Sequence, residues 1–191
     1  MIPGTKVVSD PTFQPMGDRC LIVQFESRVD PEINARVRSL AEYLLAHPIA
    51  GVVDVPVCYG GEFGPDLDEV AVLRELTPQQ VIELHAASPH QVYMLGFAPG
   101  FPYLGGLDPR LEMPRRATPR TKVAAGSVAI AREQSAIYSI ETPGGWNLLG
   151  RTPLRLFTPE ADPPCLLQPG DNVRFVPITA EQFRAAQQKA A

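Results

Sequence analysis

Cysteine, histidine and long apolar runs are all scarce in this chain of 191 residues, and each scarcity removes a class of protein. The three cysteines, Cys20, Cys58 and Cys165, are widely spaced and form no C-x-x-C pair, so neither a disulfide framework nor a zinc cluster is expected. His47, His85 and His90 fall outside H-E-x-x-H spacing, and no metal site is expected. No apolar stretch approaches the length that crosses a bilayer, and the start M-I-P-G-T-K-V-V-S-D-P lacks the apolar centre of a signal peptide. The expectation is a cytoplasmic protein that meets no membrane. There is no G-x-x-x-x-G-K-[ST] loop, no G-x-G-x-x-G fingerprint and no G-x-S-x-G elbow, which excludes a recognisable stand-alone nucleotide cradle. With a formal net charge of −4 and scattered Lys and Arg, nucleic acid is not an expected partner.

What the chain does hold is turn chemistry. Proline (21) and glycine (15) make up about a fifth of the residues, short of low complexity, and 45% hydrophobic content is enough for a core. Residues 19–26 alternate as a strand, and Asp30-Pro31 then supplies an N-cap and a first-turn proline for a helix to about residue 47. Its apolar face is Ile33, Val37, Leu40 and Leu44. Residues 51–59 are β-branched and continuous, a strand in which Pro56 suggests an edge or a change of direction. Short helices are expected after Asp66 and after Thr77, where T-P-Q-Q puts Gln80 at the capping-box position, and Thr179 with Gln182 opens a last one. Strands are expected at residues 91–97, 127–131, 136–141, 146–150, 154–157 and 172–177. So many short strands argue for a small closed barrel, because closure removes exposed edges.

Two runs stand apart. Residues 93–107 read Y-M-L-G-F-A-P-G-F-P-Y-L-G-G-L, with four glycines, two prolines and the rings of Tyr93, Phe97, Phe101 and Tyr103. Residues 142–152 read T-P-G-G-W-N-L-L-G-R-T and hold the only Trp, Trp146, among Gly144, Gly145 and Gly150. Glycine allows close approach, proline fixes φ, and rings offer rigid apolar area. Such runs make either tight barrel corners with buried rings or a ligand-binding rim. Arg120 after Pro119 and Arg151 after Gly150 present guanidinium forks suited to a carboxylate or phosphate, with solvated turn roles as the alternative. Gln134 and Tyr138 offer an amide and a phenol to a carbonyl or ring nitrogen, or serve the core. The basic group Arg115, Arg116, Arg120 and Lys122 is a solvated loop, or it meets an acidic partner face or a triphosphate. His85, closing a helix, reads as a cation against the carbonyl end, with catalysis as the alternative.

Five blocks in one order carry a wider resemblance: V-C-Y-G-G-E-F-G-P-D-L at 57–67, G-F-A-P-G-F-P-Y-L-G-G-L-D-P-R-L at 96–111, R-A-T-P-R-T-K-V at 116–123, A-G-S-V-A-I-A at 125–131 and P-G-G-W-N-L-L-G-R-T-P-L at 143–154. In them the chain resembles the family of B subunits of bacterial ATP-dependent 5-oxoprolinase, also called KipI-like or allophanate hydrolase subunit 1. The resemblance implies a mainly β fold, with a cyclophilin-like β-barrel and short helices at residues 56–191. Ahead of it stands a ferredoxin-like α+β domain at residues 1–55 that is shortened. Residues 51–53 run almost directly into 57–59, where roughly 40 further residues would complete the sandwich.

The activity implied is that of an ATP-hydrolysing cyclic amidase, inactive alone, which opens 5-oxo-L-proline to L-glutamate with subunits A and C. ATP, with Mg2+, would occupy a site shared with a partner subunit. On this resemblance Arg120, Arg151, Gln134 and Tyr138 are assigned to catalysis. Phe97, Pro99, Gly100, Phe101, Tyr103, Gly144, Gly145 and Trp146 are assigned to substrate binding. The family equally implies two other roles, a regulator that binds and inhibits a sensor histidine kinase and a related amide or allophanate-type hydrolase subunit. Arg132 adds bulk and charge beside Gln134 where relatives tend towards a small residue, so a shifted substrate preference is expected.

Overall fold

The structure, a computed structural model, describes residues 12–16, 20–24 and 52–190. It divides the chain into two units, Met1–Ile49 and Ala50–Ala191. In the first, β1 (Thr12–Met16) and β2 (Cys20–Gln24) pair antiparallel, with Met16 opposite Cys20 and Thr12 opposite Gln24. β2 is the strand expected at 19–26, whereas the helix expected from Asp30 lies outside the described residues.

The second unit is built on seven strands: β3 (Val52–Tyr59), β4 (His90–Leu95), β5 (Pro102–Gly105), β7 (Ser127–Ala131), β8 (Gln134–Ile137), β10 (Asn147–Arg151) and β11 (Asn172–Pro177). They close into a barrel in the order β10-β3-β11-β4-β5-β8-β7, so the fold is mainly β with the closed barrel expected of short, punctuated strands. A separate ribbon pairs β6 (Arg120–Val123) with β9 (Thr142–Gly144). The barrel takes in residues 52–55, ahead of position 56, because β3 runs parallel to β11 from Val52 onward.

Period-two alternation sends Val55, Val57, Val92, Leu104, Val128, Ile137 and Phe175 into one core. Pro56 sits on a stretch of β3 that is paired on one side only, the edge character that the proline suggested. It lies opposite Val176 of β11, but β10 reaches only Cys58 and Tyr59, so a residue without an N–H is tolerated where the strand has one partner. Residues 154–157 form no strand. They contribute only the bridge of Phe157 with Cys165, while Leu154 and Leu156 turn their side chains to the core.

Two helices, α1 (Leu67–Leu73) and α2 (Pro78–Ala87), pack Leu67, Val70 and Val81 on Leu107, Leu111, Ile130 and Leu149. The start of α2 is the reciprocal capping box read from T-P-Q-Q: the Thr77 N–H donates to Gln80 Oε1 at 2.8 Å, and the Gln80 N–H to Thr77 Oγ1 at 3.2 Å. Thr77→Ala is expected to cost about 1 kcal/mol. A urea midpoint unmoved by that change would mean that packing alone fixes the helix start. α3 (Ala180–Ala190) opens with the same exchange between Thr179 and Gln182 and buries Phe183 against Phe63. Among the described residues no helix is long and apolar enough to cross a membrane.

Candidate functional site

On the outer face of the barrel, strand register makes neighbours of Tyr103, Ala136, Ala129 and Leu148 across β5, β8, β7 and β10. Alternation puts Ala131 and Gln134 on that same face. Methyl-sized side chains in its middle form a floor on which rings from both glycine-rich runs pack, an aromatic cup. Phe101, 2% exposed, is the hub: its ring lies 5.0 Å from Tyr103, 5.2 Å from Tyr138, 5.2 Å from Phe97 and 6.3 Å from Trp146, all edge-on. This geometry sets the positive edge of one ring against the negative face of the next. Phe101 and Trp146 are buried corner rings, as one reading of the runs expected, and Tyr138 is buried beside them, while Phe97 is 65% exposed at φ +66° and stands at an open rim.

Backbone closeness explains two of the glycines. A Cβ on Gly144 would stand 2.2 Å from the Tyr138 hydroxyl, and one on Gly100, at φ +69°, would stand 2.9 Å from Phe157 Cβ. Gly145 is not crowded, its nearest neighbour being Pro119 at 3.5 Å. Pro99 is exposed and offers its carbonyl to the Ser139 hydroxyl at 2.5 Å.

Beside this aromatic cup lies a buried carboxylate. Asp66, 2% exposed at the N-terminus of α1, accepts from Arg116 Nη1 at 2.9 Å, Arg120 Nη2 at 2.6 Å and the Leu148 N–H at 2.7 Å. One side chain thereby ties α1, the ribbon and β10 together. Among the described residues Arg120 Nη1 is buried without a hydrogen-bond partner. Arg115 lies over the Trp146 ring at 5.8 Å, a cation–π contact. Burial pushes the Tyr138 phenol up, while a backbone hydrogen bond from Trp146 and the charges of Arg115 and Arg120 pull it back, so both guanidiniums are felt at that hydroxyl. Arg116 is also engaged by Glu69 at 2.8 Å, and Lys122 by Glu141 at 3.0 Å. Ring walls with guanidinium groups beside them suit a small flat anion.

The carboxyltransferase domain family, subdomains C and D, matches residues 11–55 and 51–167. The chain belongs to this family. It is 48% identical over 166 residues to the B subunit of 5-oxoprolinase from Bacillus subtilis (strain 168), covering 87% of this chain and 68% of that protein. It is 53% identical over 130 residues to the corresponding 5-oxoprolinase B subunit of Escherichia coli O157:H7, covering 68% of this chain and 60% of the relative. The chain thus spans about two thirds of these curated relatives. Among solved structures it resembles a conserved uncharacterized protein from Pyrococcus horikoshii, with a TM-score of 0.68 and 38% identity over 90% of this chain and all of that one. Urea amidolyase of K. lactis shares the fold at a TM-score of 0.62 and 21% identity, over 96% of this chain and 16% of that one.

In this member of the carboxyltransferase domain family, all five sequence blocks reach the cup. Residues 57–67 bring Asp66, 96–111 bring Phe97 to Tyr103, 116–123 bring Arg116 and Arg120, 125–131 bring the alanine floor, and 143–154 bring Trp146 and Leu148. Arg151 has a different neighbour: its Nε donates to the Ala125 carbonyl at 2.8 Å, bracing the turn ahead of β7. Gln134 begins β8 opposite Ala131. Asp66 was legible only as a helix start, and Arg115 only as one of a basic group. The signal available for Asp66 was a carboxylate directly after Pro65, at a helix start, in a block whose one other acidic residue is Glu62.

His85 overturns its sequence reading. It is no helix-end cation but a fully buried ring, hydrogen-bonded to Tyr59 Oη at 2.8 Å and to Ser135 Oγ at 3.2 Å and stacked on Phe175. Burial, reinforced by His90, pushes its pKa well down and keeps it neutral, and burial likewise raises the Tyr59 phenol. An open groove of about 600 Å³, lined by Tyr59, Ile82, Ala86 and Ile178 among others, shares no residue with the cup.

Proposed function

We propose that this chain is the B subunit of an ATP-dependent 5-oxoprolinase, opening 5-oxo-L-proline to L-glutamate with subunits A and C. The observation that carries the reading is the convergence of all five blocks on one aromatic cup, in a chain whose curated relatives bear that name. A lactam is a poor electrophile. Phosphorylation of its carbonyl oxygen creates a leaving group that departs after water attacks at carbon. Phe101, Tyr103 and Trp146 suit the five-membered ring, Arg120 and Arg115 its anionic groups, and the Gly144-Gly145 backbone a close approach. Tyr138 and Gln134 supply polar atoms on the same face, and Arg151 keeps the turn ahead of β7 in place.

Among the described residues Arg120 Nη1 is buried without an acceptor and Arg115 is exposed over Trp146, a pair that suits one carboxylate or one phosphate rather than a triphosphate. ATP with its Mg2+ therefore belongs to a site completed by a partner subunit. When bound it supplies the phosphoryl group. The test is 5-oxoproline-dependent phosphate release by this chain alone and with subunits A and C. Release is expected only from the mixture; a stable complex that releases none sinks the lactam assignment. Exposed Tyr93, Met94 and Phe97 favour, as a second reading, a KipI-type regulator that docks on a histidine kinase. Tight binding to a kinase dimerisation domain, without lactam-dependent phosphate release, would select it.

A further inference from the structure

We propose that Asp66 is the positioning residue of this site: by clamping one arm of Arg120 it presents the other to the carboxylate of the bound lactam. The inference rests on the 5-oxoprolinase reading and deepens it. The Asp66 carboxylate has Arg116 Nη1 and Arg120 Nη2 on Oδ1 and the Leu148 N–H on Oδ2. A carboxylate only 2% exposed is tolerated when paired with two guanidiniums and a backbone N–H, and its burial keeps it from meeting a ligand directly. Its role is exerted through the arginines.

Of the two, Arg116 is shared with a second carboxylate, its Nη1 also donating to Glu69 at 2.8 Å. Arg120 is not. The guanidinium is planar and rigid, so holding Nη2 at 2.6 Å fixes the direction of Nη1 as well. That second arm is buried without an acceptor among the described residues, a costly state for an ionised donor and one that an arriving carboxylate relieves. The charge of Arg120 is already felt at the Tyr138 hydroxyl, so the guanidinium stands beside the cup. Arg115 does not duplicate this function, because it is exposed and held over the Trp146 face by a contact without direction to a carboxylate.

The experiment uses the fluorescence of Trp146, the only Trp in the chain, to titrate the full chain, and its complex with subunits A and C, with three probes. These are 5-oxo-L-proline, 2-pyrrolidinone, which is the same ring without the carboxylate, and inorganic phosphate. Asp66→Asn is expected to weaken 5-oxo-L-proline about tenfold to a hundredfold while leaving 2-pyrrolidinone within about twofold. In turnover by the complex the loss should appear as a raised KM with kcat little changed. Because Asp66 also holds α1 to β10, Arg120→Lys is the companion variant: it should reproduce the selective loss, and the double variant should lose no more than the worse single. Equal weakening of both lactams, additive singles, or a loss confined to phosphate overturns the role given to Asp66 while leaving the 5-oxoprolinase reading intact. If the unmodified complex binds neither lactam, the enzyme reading itself falls, and the carboxylate assignment with it.

Discussion

Between pH 7 and pH 4 the barrel unit is expected to lose about 3 kcal/mol of stability through His90 alone. The His90→Asn variant should lose correspondingly less. His90 is 1% exposed, and burial drives its pKa down to about 4 from an ordinary 6.5, against a hydrogen bond of its Nε2 to the His85 carbonyl at 3.0 Å that partly supports the charged form. The neutral ring is therefore the folded form. As pH falls, the unfolded chain takes up the proton first, so this stability is fully present above about 6.5 and is lost progressively down to about 4. The interval of 2.5 pH units, at about 1.4 kcal/mol each, sets the size of the effect. His85 acts with the same sign, since burial and then the neighbouring His90 hold its pKa well down. Denaturant midpoints at pH 7, 6, 5 and 4 for both proteins measure the difference. Parallel pH profiles would show that His90 is not the group responsible.

Phe101→Ala is expected to destabilise the chain by about 3–5 kcal/mol, whereas Phe97→Ala should change stability by less than about 1 kcal/mol. The two rings touch at 5.2 Å and come from the same glycine-rich run, yet one is 2% and the other 65% exposed. Removing Phe101 empties the centre of a cluster whose floor is already alanine, so no neighbouring side chain on Ala129, Ala131 or Ala136 is large enough to fill the space. The Phe97 ring leaves mostly solvent behind. If the cup binds the lactam, Phe97→Ala should weaken substrate while folding survives, and Phe101→Ala should abolish activity by loss of structure. Equilibrium unfolding of both variants decides this, and equal costs would contradict the position of Phe101 as hub.

Much of the architecture was legible locally. The capping boxes at Thr77 and Thr179 are satisfied as read, because both partners lie within one helical turn. β7 spans Ser127–Ala131 and β11 spans Asn172–Pro177, as their β-branched and alternating residues require. Strands β5, β6 and β9 were hidden. Each is three or four residues long and carries proline, glycine or charge, so its strand character comes from pairing with a distant partner rather than from its own composition. The two ring-bearing runs were recognisable as a built surface, but their meeting at Phe101 depends on the register of β5, β8, β7 and β10, which no local pattern encodes.

The residues alone determined the closed mainly β architecture, the helix starts and the set of rings and arginines from which the candidate site is made. These are consequences of short-range sterics, hydrogen bonding and alternation, which act over a few positions. Only folding in three dimensions separated Arg120 from Arg151, joining the first to Asp66 some fifty positions away. It left the second on the Ala125 carbonyl. It also turned His85 from a surface cation into a neutral core ring, because the cost of burying charge depends on what surrounds it rather than on its place in the helix.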